Sequence, residues 1–109
     1  MAWKVKFFQT KRGDYPVKEF IEKLEKKTYT RALKSITLLS NFGPFVRMPY
    51  SKKIAPHLYE LRIKGAESIR ILYVQVNQVY YLVHIFKKKT DKIPMREIKT
   101  ALDRAKELR

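Results

Sequence analysis

Three runs decide the fold: His57-Leu58-Tyr59-Glu60-Leu61-Arg62-Ile63-Lys64, Ile69-Arg70-Ile71-Leu72-Tyr73-Val74-Gln75-Val76, and Val79-Tyr80-Tyr81-Leu82-Val83-His84-Ile85-Phe86. From Ile54 onward the apolar period is two, the spacing at which successive strand side chains leave opposite faces. The pattern predicts strands near 57–64, 69–76 and 79–86, joined by Lys64-Gly65-Ala66-Glu67-Ser68 and by Asn77-Gln78. Such short connections leave room only for antiparallel neighbours, so the middle of the chain reads as an antiparallel meander.

Outward from the meander the period changes. Residues 2–9 alternate apolar and basic side chains and read as a strand, ended by Gly13-Asp14-Tyr15-Pro16, with Pro16 near the first helical position and Asp14 as candidate cap. Val17, Phe20, Ile21 and Leu24 then share one face of a helix, with Glu19 four residues before Lys23 and Glu22 four before Lys26 on the other. A second helix, about Tyr29 to Ser40, turns Leu33, Ile36 and Leu39 inward and stops at Asn41-Phe42-Gly43-Pro44. These two helices are expected to form an antiparallel pair. Beyond the meander, Lys87 to Ile93 is a polar loop ended by Pro94, and Ile98, Ala101, Leu102, Ala105 and Leu108 mark a third helix. The expected fold is α+β in the order β-α-α-β-β-β-α: a small antiparallel sheet, mixed through its N-terminal strand, with two N-terminal helices and one C-terminal helix.

With 109 residues, 45% of them hydrophobic, the chain suits one domain spanning 1–109. It has no cysteine, which removes disulfides, thiolate metal sites and a cysteine nucleophile. No apolar run of about 18 residues and no signal-peptide core occurs, so the expected location is the cytoplasm, away from membranes. The net charge of +15, from 25 Lys+Arg against 10 Asp+Glu, repels itself in a compact fold and points to a polyanionic partner such as RNA.

The strongest local signal is Arg62 with Arg70. A hairpin centred on Ala66 sets them opposite one another on one face. Two like charges across a ladder repel, but they suit a phosphate placed between them, because guanidinium groups bind its oxygens with paired hydrogen bonds. The plainer reading is that Glu60, two residues before Arg62 on the same face, neutralises them. Lys87, Lys88 and Lys89 leave the last strand as a second basic cluster suited to phosphates, and Lys52 and Lys53 form a third. Tyr50, in a loop, is freer to stack on a base than Tyr59 or Tyr73. His84 lies in an apolar run and by default is a satisfied core histidine. The acidic residues form no cluster for magnesium, and no metal-ligand spacing, phosphate loop or nucleophile elbow is present.

Leu58-Tyr59-Glu60-Leu61-Arg62, Ile69-Arg70-Ile71-Leu72-Tyr73, Val83-His84-Ile85-Phe86-Lys87-Lys88-Lys89-Thr90, and Pro94 before a helix with Glu97-Ile98 and Ala101 together resemble the RelE superfamily of toxins, in its phage-derived, Gp49-like HigB branch. The resemblance covers Leu58 to Ala105 and extends to Pro16-Val17, Glu19-Phe20-Ile21 and Leu24. It implies the toxin of a type II toxin–antitoxin pair, cutting messenger RNA on the ribosome without a metal or other cofactor through attack of the RNA 2′-hydroxyl on the adjacent phosphate. It implies that Arg70 stabilises the phosphorane charge, that Arg62 assists, that Lys88 is the general acid, and that His84 belongs to the site. Lys53 is a candidate base, although a free lysine, with pKa about 10.4, needs strong depression for that role near neutrality. The RNA-stacking C-terminal tyrosine of RelE-type sites has no counterpart after Tyr81. The implied partners are mRNA, ribosomal RNA and an antitoxin, often a helix-turn-helix protein. The competing readings are a non-catalytic basic RNA- or ribosome-binding module and an inactive toxin homologue.

Overall fold

The computed structural model describes residues 3–65 and 67–108. Its strands are β1 (Lys4–Phe7), β2 (Ser51–Ala55), β3 (Leu58–Ile63), β4 (Ile69–Val76) and β5 (Val79–Lys87). Its helices are α1 (Pro16–Glu22), α2 (Lys26–Phe42) and α3 (Met95–Lys106), with a 3-10 turn at Gly43–Phe45. The α+β layout and the meander follow the sequence pattern, while β2 adds a strand that the pattern did not announce. The sheet order is β1-β5-β4-β3-β2; β1 runs parallel to β5 and every other pairing is antiparallel.

The meander strands are apolar on both faces because both faces are covered. On one side Leu61, Ile63, Ile69, Ile71, Tyr73 and Leu82 meet Val17 and Ile21 of α1 and Ala32 and Leu39 of α2. On the other, Leu58, Leu72, Val74, Val83 and Phe86 meet Ala101 and Ala105 of α3. A register shift between Leu72 and Tyr73 against β5 inserts one extra residue, and it leaves both Val83 and His84 opposite the α3 side of β4.

Several local expectations need correction. Asp14 caps nothing at α1; the preceding residue is Tyr15, whose amide donates to Glu19 Oε2 at 3.0 Å. Glu22 ends α1 and Lys26 begins α2, so those two residues belong to different helices. Leu33 is 39% exposed and Leu102 37%, because each apolar stripe is wider than the sheet surface it covers. Ala66, the expected centre of the hairpin, lies outside the described residues.

Gly43 ends α2 with φ of +50°, and a Cβ there would stand 2.5 Å from Trp3 Cδ2. Only glycine lets the chain turn so close to the indole. Trp3 is itself tied to α2, its amide donating to the Ser40 carbonyl at 2.7 Å and its carbonyl accepting from Ser40 Oγ at 3.0 Å.

Candidate RNA-binding site on the sheet

Arg62 and Arg70 are Cα partners across β3 and β4. Glu60 shares their face and is 1% exposed. Its Oε1 accepts from Arg62 Nε at 2.8 Å, while Oε2 stands 3.6 Å from Arg70 Nε. Among the described residues, Glu60 Oε2 and Arg70 Nε are the buried side-chain polar atoms without a hydrogen bond, and they face each other. One carboxylate therefore holds two guanidinium groups that would otherwise repel across the ladder. The neutralising contact foreseen for Glu60 is formed, and the cluster still keeps one net positive charge.

The two arginines are not equally available. Arg70 Nη1 donates to Ser68 Oγ at 2.9 Å and to the Ile69 carbonyl at 3.2 Å. Burial lowers its pKa; Glu60 opposes that shift and Arg62 adds to it. The Arg70 side chain is 12% exposed and that of Arg62 21%. Arg62 spends only Nε, so its terminal nitrogens are the freer pair of donors.

The edge strand sorts the lysines. Lys52 is paired with Glu60 and so takes the arginine face, whereas Lys53 is paired with Tyr59 and takes the opposite one. The Tyr50 carbonyl accepts from the Arg62 amide at 2.8 Å, which sets Tyr50, 54% exposed, beside that arginine at the sheet edge. At the far end of the hairpin Lys87 is paired with Ile69 on the helix-pair side, and its Nζ donates to Glu67 Oε1 at 2.8 Å. The Lys88 amide donates to the Ser68 carbonyl at 2.7 Å, next to the hydroxyl that holds Arg70. Lys89 lines a shallow depression with Phe86, Thr90, Pro94 and Glu97. The fold thus gathers Arg62 and Arg70 on Glu60, pairs Lys52 with Glu60 on the same face, seats Tyr50 and Lys88 at its margins through their backbones, and turns Lys53 and Lys87 away.

His84 is neither a loose site histidine nor a plain core residue. Its Nε2 stands 2.7 Å from Glu97 Oε1, and Nδ1 stands 3.4 Å from Arg104 Nη1, which also donates to the Val83 carbonyl at 2.9 Å. An acceptor at Nδ1 and a donor at Nε2 satisfy both neighbours with a neutral ring. Burial lowers the His84 pKa, against the opposing pull of Glu97. The ring stacks on Phe86 at 5.7 Å and pins α3 to the sheet from both ends of the helix. The sequence reading missed Glu97 and Arg104 as its partners; they lie 13 and 20 residues away, and no local spacing links them.

Among the described residues no group of three or more His, Cys, Asp or Glu is placed to hold a metal ion, and no helix is long and apolar enough to cross a membrane.

The chain is a basic α+β protein with helices on both faces of a five-stranded sheet and paired arginines on the α3 face. Residues 19–106 match the model of the phage-derived Gp49-like protein family (DUF891), and the chain belongs to that family, which is part of the RelE/HigB-like toxin branch. The family association is with the toxins of toxin–antitoxin systems. No curated protein matches the chain.

Proposed function

We propose that this protein is a toxin that arrests translation by cutting messenger RNA on the ribosome. The observation that carries the reading is the facing pair Arg62 and Arg70, held by one buried carboxylate on a sheet face, in a chain of a toxin family. In the proposed step the RNA 2′-hydroxyl gives up its proton to water as its oxygen attacks the adjacent phosphorus, and the bond to the 5′-oxygen breaks. A cyclic phosphate and a free 5′-hydroxyl result. Charge builds on the phosphate oxygens in the transition state, where preorganised guanidinium groups stabilise it most. Lys88 is the proposed proton donor to the departing oxygen. Lys52 is on the arginine face and is better placed than Lys53 to assist. Tyr50 offers a ring to a neighbouring base, and Lys89 a charge to the RNA backbone. The remaining surface lysines favour contact with ribosomal RNA in the cytoplasm, and a helix-turn-helix antitoxin is the proposed regulator.

Induced expression in a bacterium tests this. Growth should stop, and ribosome-bound messages should carry new ends. Normal growth with intact messages would overturn the proposal.

One observation favours a non-catalytic RNA- or ribosome-binding module instead. His84, the strand histidine on this face, is held on both nitrogens. Salt-sensitive ribosome association without cut ends would support that reading.

A further inference from the structure

Helix α3 carries more apolar surface than the sheet covers. Ala101 and Ala105 are buried, but Met95, Ile98 and Leu102 form a flanking stripe in which Met95 is 75% exposed and Leu102 37%. The β2–β3 turn, Pro56 and His57, faces this stripe, and the space between is an open groove of about 610 Å³. Its rim carries Arg96, Lys99 and Lys106 against a single carboxylate, Asp103. None of Glu60, Arg62, Arg70 or His84 lines it.

We propose that this groove docks an acidic amphipathic helix of a protein partner. Apolar side chains would cover the floor, and carboxylates would meet Arg96, Lys99 and Lys106. The groove follows residues 95–106, a helix about 18 Å long at 1.5 Å per residue, which matches three turns of a partner displaying apolar residues at i, i+3, i+4 and i+7. The floor argues against RNA. Aliphatic side chains give a phosphate backbone nothing to bind, and His57 at the turn is the one aromatic ring among the described residues lining the groove, too few to hold successive bases. The rim argues against a second copy, because two such rims on chains of +15 repel. An acidic helix satisfies floor and rim together. The inference goes beyond the cleavage reading and stands apart from it, since the residues differ.

The test is fluorescence anisotropy of the full chain with a labelled peptide about four turns long, leucine at i, i+3, i+4 and i+7 and glutamate elsewhere. Binding in the micromolar range is expected, about tenfold or more weaker for Met95→Asp, for Leu102→Asp and for the pair Lys99→Glu with Lys106→Glu. Met95 is so exposed that its variant should fold even if Leu102→Asp does not. Equal binding of a scrambled peptide of the same composition would overturn the proposal, as would no binding at about millimolar peptide. Displacement of the peptide by an RNA oligonucleotide whose own binding needs Leu102 would assign the groove to nucleic acid, and a dimer lost in Leu102→Asp would assign it to a second copy. Arg70→Ala should leave peptide affinity unchanged, so failure here and failure of the cleavage reading are separable.

Discussion

Glu60→Gln removes the one negative charge between Arg62 and Arg70 and almost none of the volume. Glu60 is 1% exposed, and its hydrogen bond from Arg62 Nε is 2.8 Å long. Removing one member of a buried ion pair costs about 3–5 kcal/mol, because the surviving charge loses its partner without regaining water. Here the survivors are two cations opposite one another in the ladder, which adds repulsion. Their side chains keep 21% and 12% of their exposure, which returns some solvation and places the loss near the lower bound, about 3 kcal/mol. For a chain of this size each kcal/mol shifts Tm by roughly 4 °C, so a fall of about 12 °C is expected. Urea unfolding followed by circular dichroism measures the loss. Adding Arg62→Gln to Glu60→Gln should recover about 1 kcal/mol, since the double variant no longer sets two cations face to face. A loss under about 1 kcal/mol, or strict additivity of the two substitutions, would refute the clamp.

Arg70→Ala or Arg62→Ala should cut the rate of message cleavage by about a hundredfold or more in a ribosome-dependent assay, with the helical signal retained; full activity in both would remove the proposed mechanism. The lowered His84 pKa means that the unfolded chain binds the proton first. Stability should therefore be intact above the ordinary histidine value of about 6.5 and fall as pH drops below it, and His84→Gln should flatten that part of the profile in pH-resolved thermal melts. Tyr73→Phe leaves the buried Ser51 hydroxyl without its 2.6 Å partner and should cost about 1 kcal/mol by chemical denaturation. Burial lifts the Tyr73 phenol to about 12, so spectrophotometric titration should find one tyrosine that ionises late, and stability should decline as pH rises above the ordinary value of about 10. Gly43→Ala should lower Tm clearly, since the added Cβ meets Trp3 at a positive φ; an unchanged melt would show that α2 can end in another way.

The candidate site was partly legible because its central pair depends on period alone. Once β3 and β4 form a hairpin, Arg62 and Arg70 must share a face with Glu60, and the ladder has them as partners. The edge lysines were not legible in this way. Lys52 and Lys53 are adjacent, and only the pairing of β2 with β3 decides which joins the arginines. Lys87 carries the same charge as Lys88, yet its pairing with Ile69 and its bond to Glu67 take it to the other face. His84 reads from its apolar run as a core histidine, and nothing local shows the Glu97 and Arg104 contacts that α3 brings to it.

By itself the sequence determined the meander, the three helices, the facing arginines and the charge that suits RNA, because these rest on local period, turn residues and composition. Only the tertiary structure decided that β2 adds an edge to the sheet, that Glu60 is buried between two cations, that His84 is buried and held on both ring nitrogens by α3, and that the flank of α3 is left open. Each of these depends on contacts between residues far apart in the chain, and burial and charge pairing at such distances are properties of the packed molecule.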